Sequence, residues 1–183
     1  TLLTAGIHNS NDFFDILNRA LFDNLERMRA DKSLTLLRLD YAQQNASEPE
    51  ATNLRVSGQH EHLIVVRASG NVECVDTLEL GMPLGLEREV RDYVAEKHIV
   101  LAPGDGLVLY TDGITEAENA HHQQYGLPRL CEIIEQHWQH APERLCQTIL
   151  QDVYEHVNGH IIYDDITLLV AKRQHTQPQD TQP

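Results

Sequence analysis

The carboxylates able to do chemistry in this sequence stand at the ends of two apolar runs. Asp112 lies in Thr111-Asp112-Gly113, directly after Leu107-Val108-Leu109-Tyr110, a run long enough for a buried strand and too short for a helix. Asp164-Asp165 come just before a second run, Ile166 to Val170. If these strands are antiparallel neighbours, the acids meet at one edge of a sheet, and the glycine after Asp112 lets a ligand approach the backbone. Oxygen ligands without a Cys or His cluster suit Mg²⁺ or Mn²⁺ better than Zn²⁺, and two such ions can activate water for in-line attack on a phosphate ester. Each motif also has a plainer reading. Asp-Gly after a strand is a common hairpin turn, and Asp164-Asp165 alone is a solvated turn.

Other reactive residues give less. Of the eleven histidines, His60 and His62 are two apart, His121 and His122 adjacent, and His137 and His140 three apart. Only the last pair could share a helical face, and it straddles the break before Ala141-Pro142. No carboxylate or cysteine completes a zinc site of recognised spacing, so the histidines read as surface residues. Cys74, Cys131 and Cys146 are odd in number, with no CxxC, and read as small core residues in a reducing compartment.

The elements that must position the acids follow from periodicity. Phe14, Leu17, Leu21, Leu25 and Met28 form one stripe on a helix from Asp12 to about Ala30, with His8-Asn9-Ser10-Asn11 available as its start. Short strands are expected over Ser33–Tyr41, Asn53–Ser57, Leu63–Arg67 and Val72–Val75, an antiparallel meander. Gln43–Glu50 is a turn or hairpin connection, and Leu80–Leu86 a loop folded against the domain. Tyr93–Leu101 is a further strand, with the Asp112 strand expected to pair beside it. Leu127, Leu130, Cys131, Ile134 and Trp138 mark a second helix. Leu145, Ile149, Val153 and Val157 mark a third, stopped by Asn158-Gly159.

Composition narrows the class. At 183 residues and 20.8 kDa the chain has the length of one domain, and 41% hydrophobic with 23% charged residues is ordinary for a globular protein. A formal charge of −14 argues against a nucleic-acid face, which needs clustered Lys and Arg, and against anionic membrane surfaces. No run of about 18 apolar residues exists, so no membrane segment is expected and the compartment is read as cytoplasmic.

The motifs PGDGLVLYTDGITEAEN, YGLPRL and DDITLLVAKR together resemble the bacterial branch of the metal-dependent (PPM, or protein phosphatase 2C-like) phosphatases. That branch contains stage II sporulation protein E and the RsbU-type stress-response phosphatases. The likeness extends through LGMPLGLE and RVSGQHEHLIVVR into DILNRALFDNLERMRADKSLTLL, and so across nearly all of residues 1–173. It implies an α+β fold, an αββα sandwich of two antiparallel sheets flanked by helices, and a site holding two Mn²⁺ or Mg²⁺ ions. By the same resemblance Asp112 and Asp164 are the catalytic metal ligands, Gly113 and Asp165 supporting residues, and no other cofactor is needed. The implied reaction is hydrolysis of phosphoserine or phosphothreonine on a partner protein, such as a small anti-sigma-factor antagonist, by metal-activated water. An upstream sensor or receiver module is implied in the parent chain, and a homodimer is compatible.

One motif of that branch, Gly-Asp-x-x-Gly-x-Gly, does not occur. The resemblance assigns to it an acid that bridges both metals. Residues 1–173 are therefore expected to be the C-terminal portion of a phosphatase domain, N-terminally incomplete and weak or inactive alone, with 174–183 a disordered polar tail. The competing reading is a non-catalytic module that binds a regulatory protein. The family has Gly-His where this chain has Gly58-Gln59-His60, and no catalytic role is assigned to His60.

Overall fold

The computed structural model describes residues 9–42 and 52–174. The Gln43–Glu50 connection and, beyond Gln174, the polar tail lie outside the described residues. The fold is α+β, with seven strands in two antiparallel sheets among the described residues. The described residues fall into two compact units, 9–42, 52–60 and 76–100 in one, and 61–75 and 101–174 in the other.

In the first unit, helix α1 spans Ser10–Met28. Asn9 caps it, its side chain accepting from the Asn11 N–H at 2.8 Å, and Arg29 ends it in the left-handed conformation at φ 53°. The expected stripe holds at Phe14 but fails at Met28, which is 71% exposed because it sits in the last turn, beyond the packed face. Instead the helix buries Asn18, whose side-chain amide donates to the Glu87 and Arg88 carbonyls at 2.9 and 3.0 Å and accepts from the Gly85 N–H at 2.8 Å. That amide holds the Leu80–Leu86 region as the expected folded loop, with Leu84, Val90 and Phe14 forming the core. The sheet contains β1 (Arg38–Ala42), β2 (Thr52–Ser57) and β5 (Glu96–Leu101), in the order β1-β2-β5. The strand expected from Ser33 begins only at Arg38; Leu34 makes an isolated bridge to Leu84. At Gly58 (φ +89°) a Cβ would fall 2.2 Å from the Leu36 carbonyl oxygen and 2.4 Å from the Phe14 ring, so only glycine fits.

The second unit contains β3 (Leu63–Val66), β4 (Val72–Val75), β6 (Gly106–Tyr110) and β7 (Leu168–Lys172), in the order β4-β3-β6-β7. The strands are thus divided between two sheets rather than forming one meander. The Asp112 strand, β6, pairs with β3 and β7, not beside the Tyr93–Leu101 segment as expected. Asp105 supplies the reason. It is 4% exposed, and its carboxylate accepts from the Ala68 and Ala102 N–H groups at 2.8 and 3.0 Å and from Arg67 Nη1 at 3.1 Å. The turn that carries Asp105 is thus an anchor that sets the start of β6 beside the end of β3. Burial alone would raise the Asp105 pKa, but the two N–H groups and the guanidinium outweigh it and hold the carboxyl below its usual range.

Helices α3 (Gly126–His137) and α4 (Pro142–Val157) bury Leu130, Ile134, Leu145, Ile149, Val153 and Val157, as their spacing predicts, against Ile64, Val66 and Val108 of the sheet. Asn158 closes α4 at φ 46°, followed by Gly159. The cysteines depart from expectation: Cys74 is exposed, Cys131 and Cys146 are partly buried, and Sγ of Cys74 lies 3.4 Å from Sγ of Cys131. Among the described residues no helix is long and apolar enough to cross a membrane.

Candidate functional site

The last paired residues of β6 and β7 are Tyr110 and Leu168, and the ladder continues as Thr111 N–H donates to the Thr167 carbonyl at 3.1 Å. Asp112 therefore leaves the C-terminal end of one strand where Asp164 and Asp165 enter the other. Antiparallel pairing brings the two acidic motifs to one sheet edge. Asp112 opens α2, a single turn over Asp112–Thr115.

Three contacts fix this corner. Thr111 Oγ1 donates to the Asp165 carbonyl at 3.0 Å and accepts from the Thr167 N–H at 2.9 Å. At Gly113 an added Cβ would stand 2.6 Å from the Asp165 carbonyl oxygen and 3.3 Å from that of Asp164, so the glycine is needed for close backbone approach. Each aspartate is also oriented by the residue after it: Gly113 N–H donates to Asp112 Oδ1 at 2.9 Å, and Asp165 N–H to Asp164 Oδ1 at 2.7 Å. Asp112, Asp164 and Asp165 are exposed, whereas Gly113 is buried. An open cleft of about 390 Å³ adjoins them, lined by Gly113, Glu116, Glu118, Tyr163 and Asp164 among others.

Thr111 is a linking residue that sequence reasoning missed, because its role depends on a strand distant in sequence. The same holds for Tyr125 and Arg129 of YGLPRL. Tyr125 Oη donates to Asp152 Oδ2 at 2.7 Å, and Arg129 grips both oxygens of the same carboxylate at 2.9 Å. The Arg129 guanidinium bonds hold Asp152 below its usual pKa against the opposing effect of burial, while burial followed by the Asp152 bond drives Tyr125 well above a normal phenol. His156 Nε2 lies 2.9 Å from the Gln123 carbonyl, so α4 also holds the loop between α2 and α3.

His122 of that loop is exposed, as expected of a surface histidine, but it has ligand-bearing neighbours. One ligand atom each from Glu118, His122 and His160 lie within 4.8 Å of one another. His160 follows α4 and meets the others only through the tertiary fold, which spacing in the sequence does not report. His137 and His140 do approach, with stacked rings 5.2 Å apart, but no third ligand joins them among the described residues. His60 is structural: Nδ1 lies 2.9 Å from Thr35 Oγ1, and its N–H donates to Thr77 Oγ1 at 3.0 Å.

Residues 2–174 match the family model of stage II sporulation protein E. A 71-residue stretch is 34% identical to protein IcfG of Synechocystis sp., covering 39% of this chain and 11% of that protein. Among solved structures, the RsbU and RsbW domains of Rv1364c from Mycobacterium tuberculosis match at TM-score 0.65 and 18% identity, over 97% of this chain and 45% of that one. The phosphatase domain of SpoIIE from Bacillus subtilis matches at 0.55 and 17%, over 97% and 72%. The SiaA-PP2C domain of Pseudomonas aeruginosa matches at 0.57 and 13%, over 92% and 98%.

Proposed function

The chain belongs to the stage II sporulation protein E (SpoIIE) family of PP2C-type phosphatase domains, and from that premise we propose that it serves metal-dependent hydrolysis of phosphoserine or phosphothreonine on a partner protein. The observation that carries this reading is the β6–β7 pairing, which sets Asp112 and Asp164 at one open sheet edge. The donor set fits Mn²⁺ or Mg²⁺: exposed carboxylates, each with one oxygen oriented by a backbone N–H. Asp112 and Asp164 would hold the ions; Gly113 keeps the two backbones close, and Asp165 supports the loop through its carbonyl.

When bound, the ions supply an activated water and positive charge for the phosphoryl oxygens. The chain's own residues make that charge necessary. Glu116, Glu118 and Asp164 line the cleft, and without cations their carboxylates would repel a phosphate dianion. Thr111, bonded to Asp165 and Thr167 just before β7, would keep Asp112 and the Asp164 loop from separating. We take the substrate class to be a small phosphorylated anti-sigma-factor antagonist, and the regulator to be a sensor module of the same gene product.

A second reading has one observation in its favour: the 183 residues contain no Gly-Asp-x-x-Gly-x-Gly. Under it the domain binds a phosphoprotein without hydrolysing it. The test is Mn²⁺-dependent release of phosphate from a Ser- or Thr-phosphorylated protein by the gene product carrying this domain. Release abolished by Asp112→Asn supports the phosphatase. Binding of the phosphoprotein without release supports the second reading, and release undiminished in Asp112→Asn refutes the site.

A further inference from the structure

We propose that Glu118, His122 and His160 form a zinc site, with ligands other than those of the adjoining Asp112–Asp164 edge and independent of its assignment. Glu118 Oε2 and His122 Nδ1 are 2.9 Å apart, and one ligand atom from each of the three residues lies within 4.8 Å of the others. Four ligands at about 2.0–2.1 Å from a tetrahedral Zn²⁺ stand about 3.3 Å from one another. Binding would draw this trio together to that spacing, and three protein ligands would leave the fourth position to water.

One further feature favours a cation over mutual hydrogen bonding. His160 Nε2 is buried and has no hydrogen-bond partner among the described residues, an uncompensated cost that a metal ion would remove. His122 stands at φ 57°, in the left-handed region that His enters more readily than most side chains. The loop maintains it: Asn119 Oδ1 accepts from the His121 and Gln123 N–H groups at 2.9 and 3.2 Å, and the Asn119 carbonyl accepts from His122 N–H at 2.9 Å. The Tyr163 ring meets His160 edge-on at 6.3 Å, backing the imidazole.

Two imidazoles and one carboxylate are a borderline donor set that binds Zn²⁺ well above Mn²⁺ in the divalent series, whereas the all-oxygen edge favours the harder ions. The two sites would therefore sort different metals. Glu118 also lines the cleft beside Asp164, and His160 lies a few residues before Asp164 in the chain. A zinc ion here would tie the 118–124 loop to the segment carrying Asp164 and fix the width of the cleft.

The experiment is titration of the untagged protein with ZnCl₂ by calorimetry, on wild type, His122→Gly, His160→Gln and Asp112→Asn. His122→Gly removes the imidazole and suits the left-handed backbone, so misfolding does not mimic loss of a ligand. Trp138 fluorescence and circular dichroism check the fold of each variant. The expected result is one zinc per chain, weakened about 100-fold or more in both histidine variants, beyond the loss of an outer-shell partner, and unchanged in Asp112→Asn. No zinc uptake by wild type, or uptake equal in wild type and the folded histidine variants, would overturn the proposal. Zinc lost in Asp112→Asn but kept in His122→Gly would also overturn it, placing the ion at the sheet edge.

Discussion

Replacing Asp105 by Ala should destabilise the four-stranded unit more than any change at the exposed acids. The substitution strips the acceptor from two backbone N–H groups, those of Ala68 and Ala102, beside a carboxylate that is 4% exposed. Ala68 and Ala102 are themselves exposed, so water can reach the freed N–H groups, and the loss is that of two hydrogen bonds to a charged acceptor, about 1.5–3 kcal/mol each. The Arg67 contribution is discounted, because that side chain is 38% exposed and also pairs with Glu73. At the lower end the sum is roughly 3 kcal/mol, which for a chain of this size lowers Tm by roughly 6–12 °C. Trp138, the single tryptophan, is a local reporter: it is 2% exposed, and Nε1 donates to the Gly104 carbonyl at 3.2 Å, one residue from the change. Thermal unfolding followed by its fluorescence is the assay. Because the folded pKa of Asp105 lies below its unfolded value, its contribution is fully present above the unfolded pKa of about 4 and fades as pH falls through the folded value. The Tm gap between wild type and variant should therefore shrink in acid. A variant melting within about 2 °C of wild type at neutral pH would refute the anchoring role.

The remaining expectations concern the site's supports. Tyr125→Phe removes the 2.7 Å bond to Asp152 and should cost about 1–2 kcal/mol in urea denaturation. Asp152, like Asp105, is held at a lowered pKa, so the advantage of wild type over Asp152→Asn should be full above about pH 4 and narrow below it in the same assay. Gly113→Ala would place a Cβ 2.6 Å from the Asp165 carbonyl oxygen; about 1–3 kcal/mol of overpacking is expected, read by Trp138 fluorescence in denaturant. Burial, then the Cys74 thiol at 3.4 Å, pushes the Cys131 pKa up, so iodoacetamide at neutral pH should modify Cys131 at least tenfold more slowly (roughly) in folded than in urea-unfolded protein, by peptide mass spectrometry.

Local pattern revealed most of the elements and the two acids, because both are short-range properties. Leu145, Ile149, Val153 and Val157 sit on one buried face of α4 as their spacing requires, and Asn158-Gly159 ends it. Asp112 and Asp164 could be paired on paper because each stands one residue away from an apolar run. What was not legible depended on partners distant in sequence. The division of strands between two sheets rests on Asp105 finding Arg67 and Ala68, which no local pattern reports. Thr111 looked like an ordinary strand residue until β7 lay beside it. Glu118 and His122 have helix-like spacing but lie in a turn, and the ligand that completes their group arrives from beyond α4.

The central claim, that Asp112 and Asp164 hold a divalent cation at the β6–β7 edge, is tested most directly by Mn²⁺ titration of the 183-residue chain, read as loss of the free-ion paramagnetic resonance signal. Saturable though weak uptake is expected, reduced about tenfold or more by Asp112→Asn and by Asp164→Asn, and little changed by Asp165→Asn. Superimposable curves for wild type, Asp112→Asn and Asp164→Asn would contradict it.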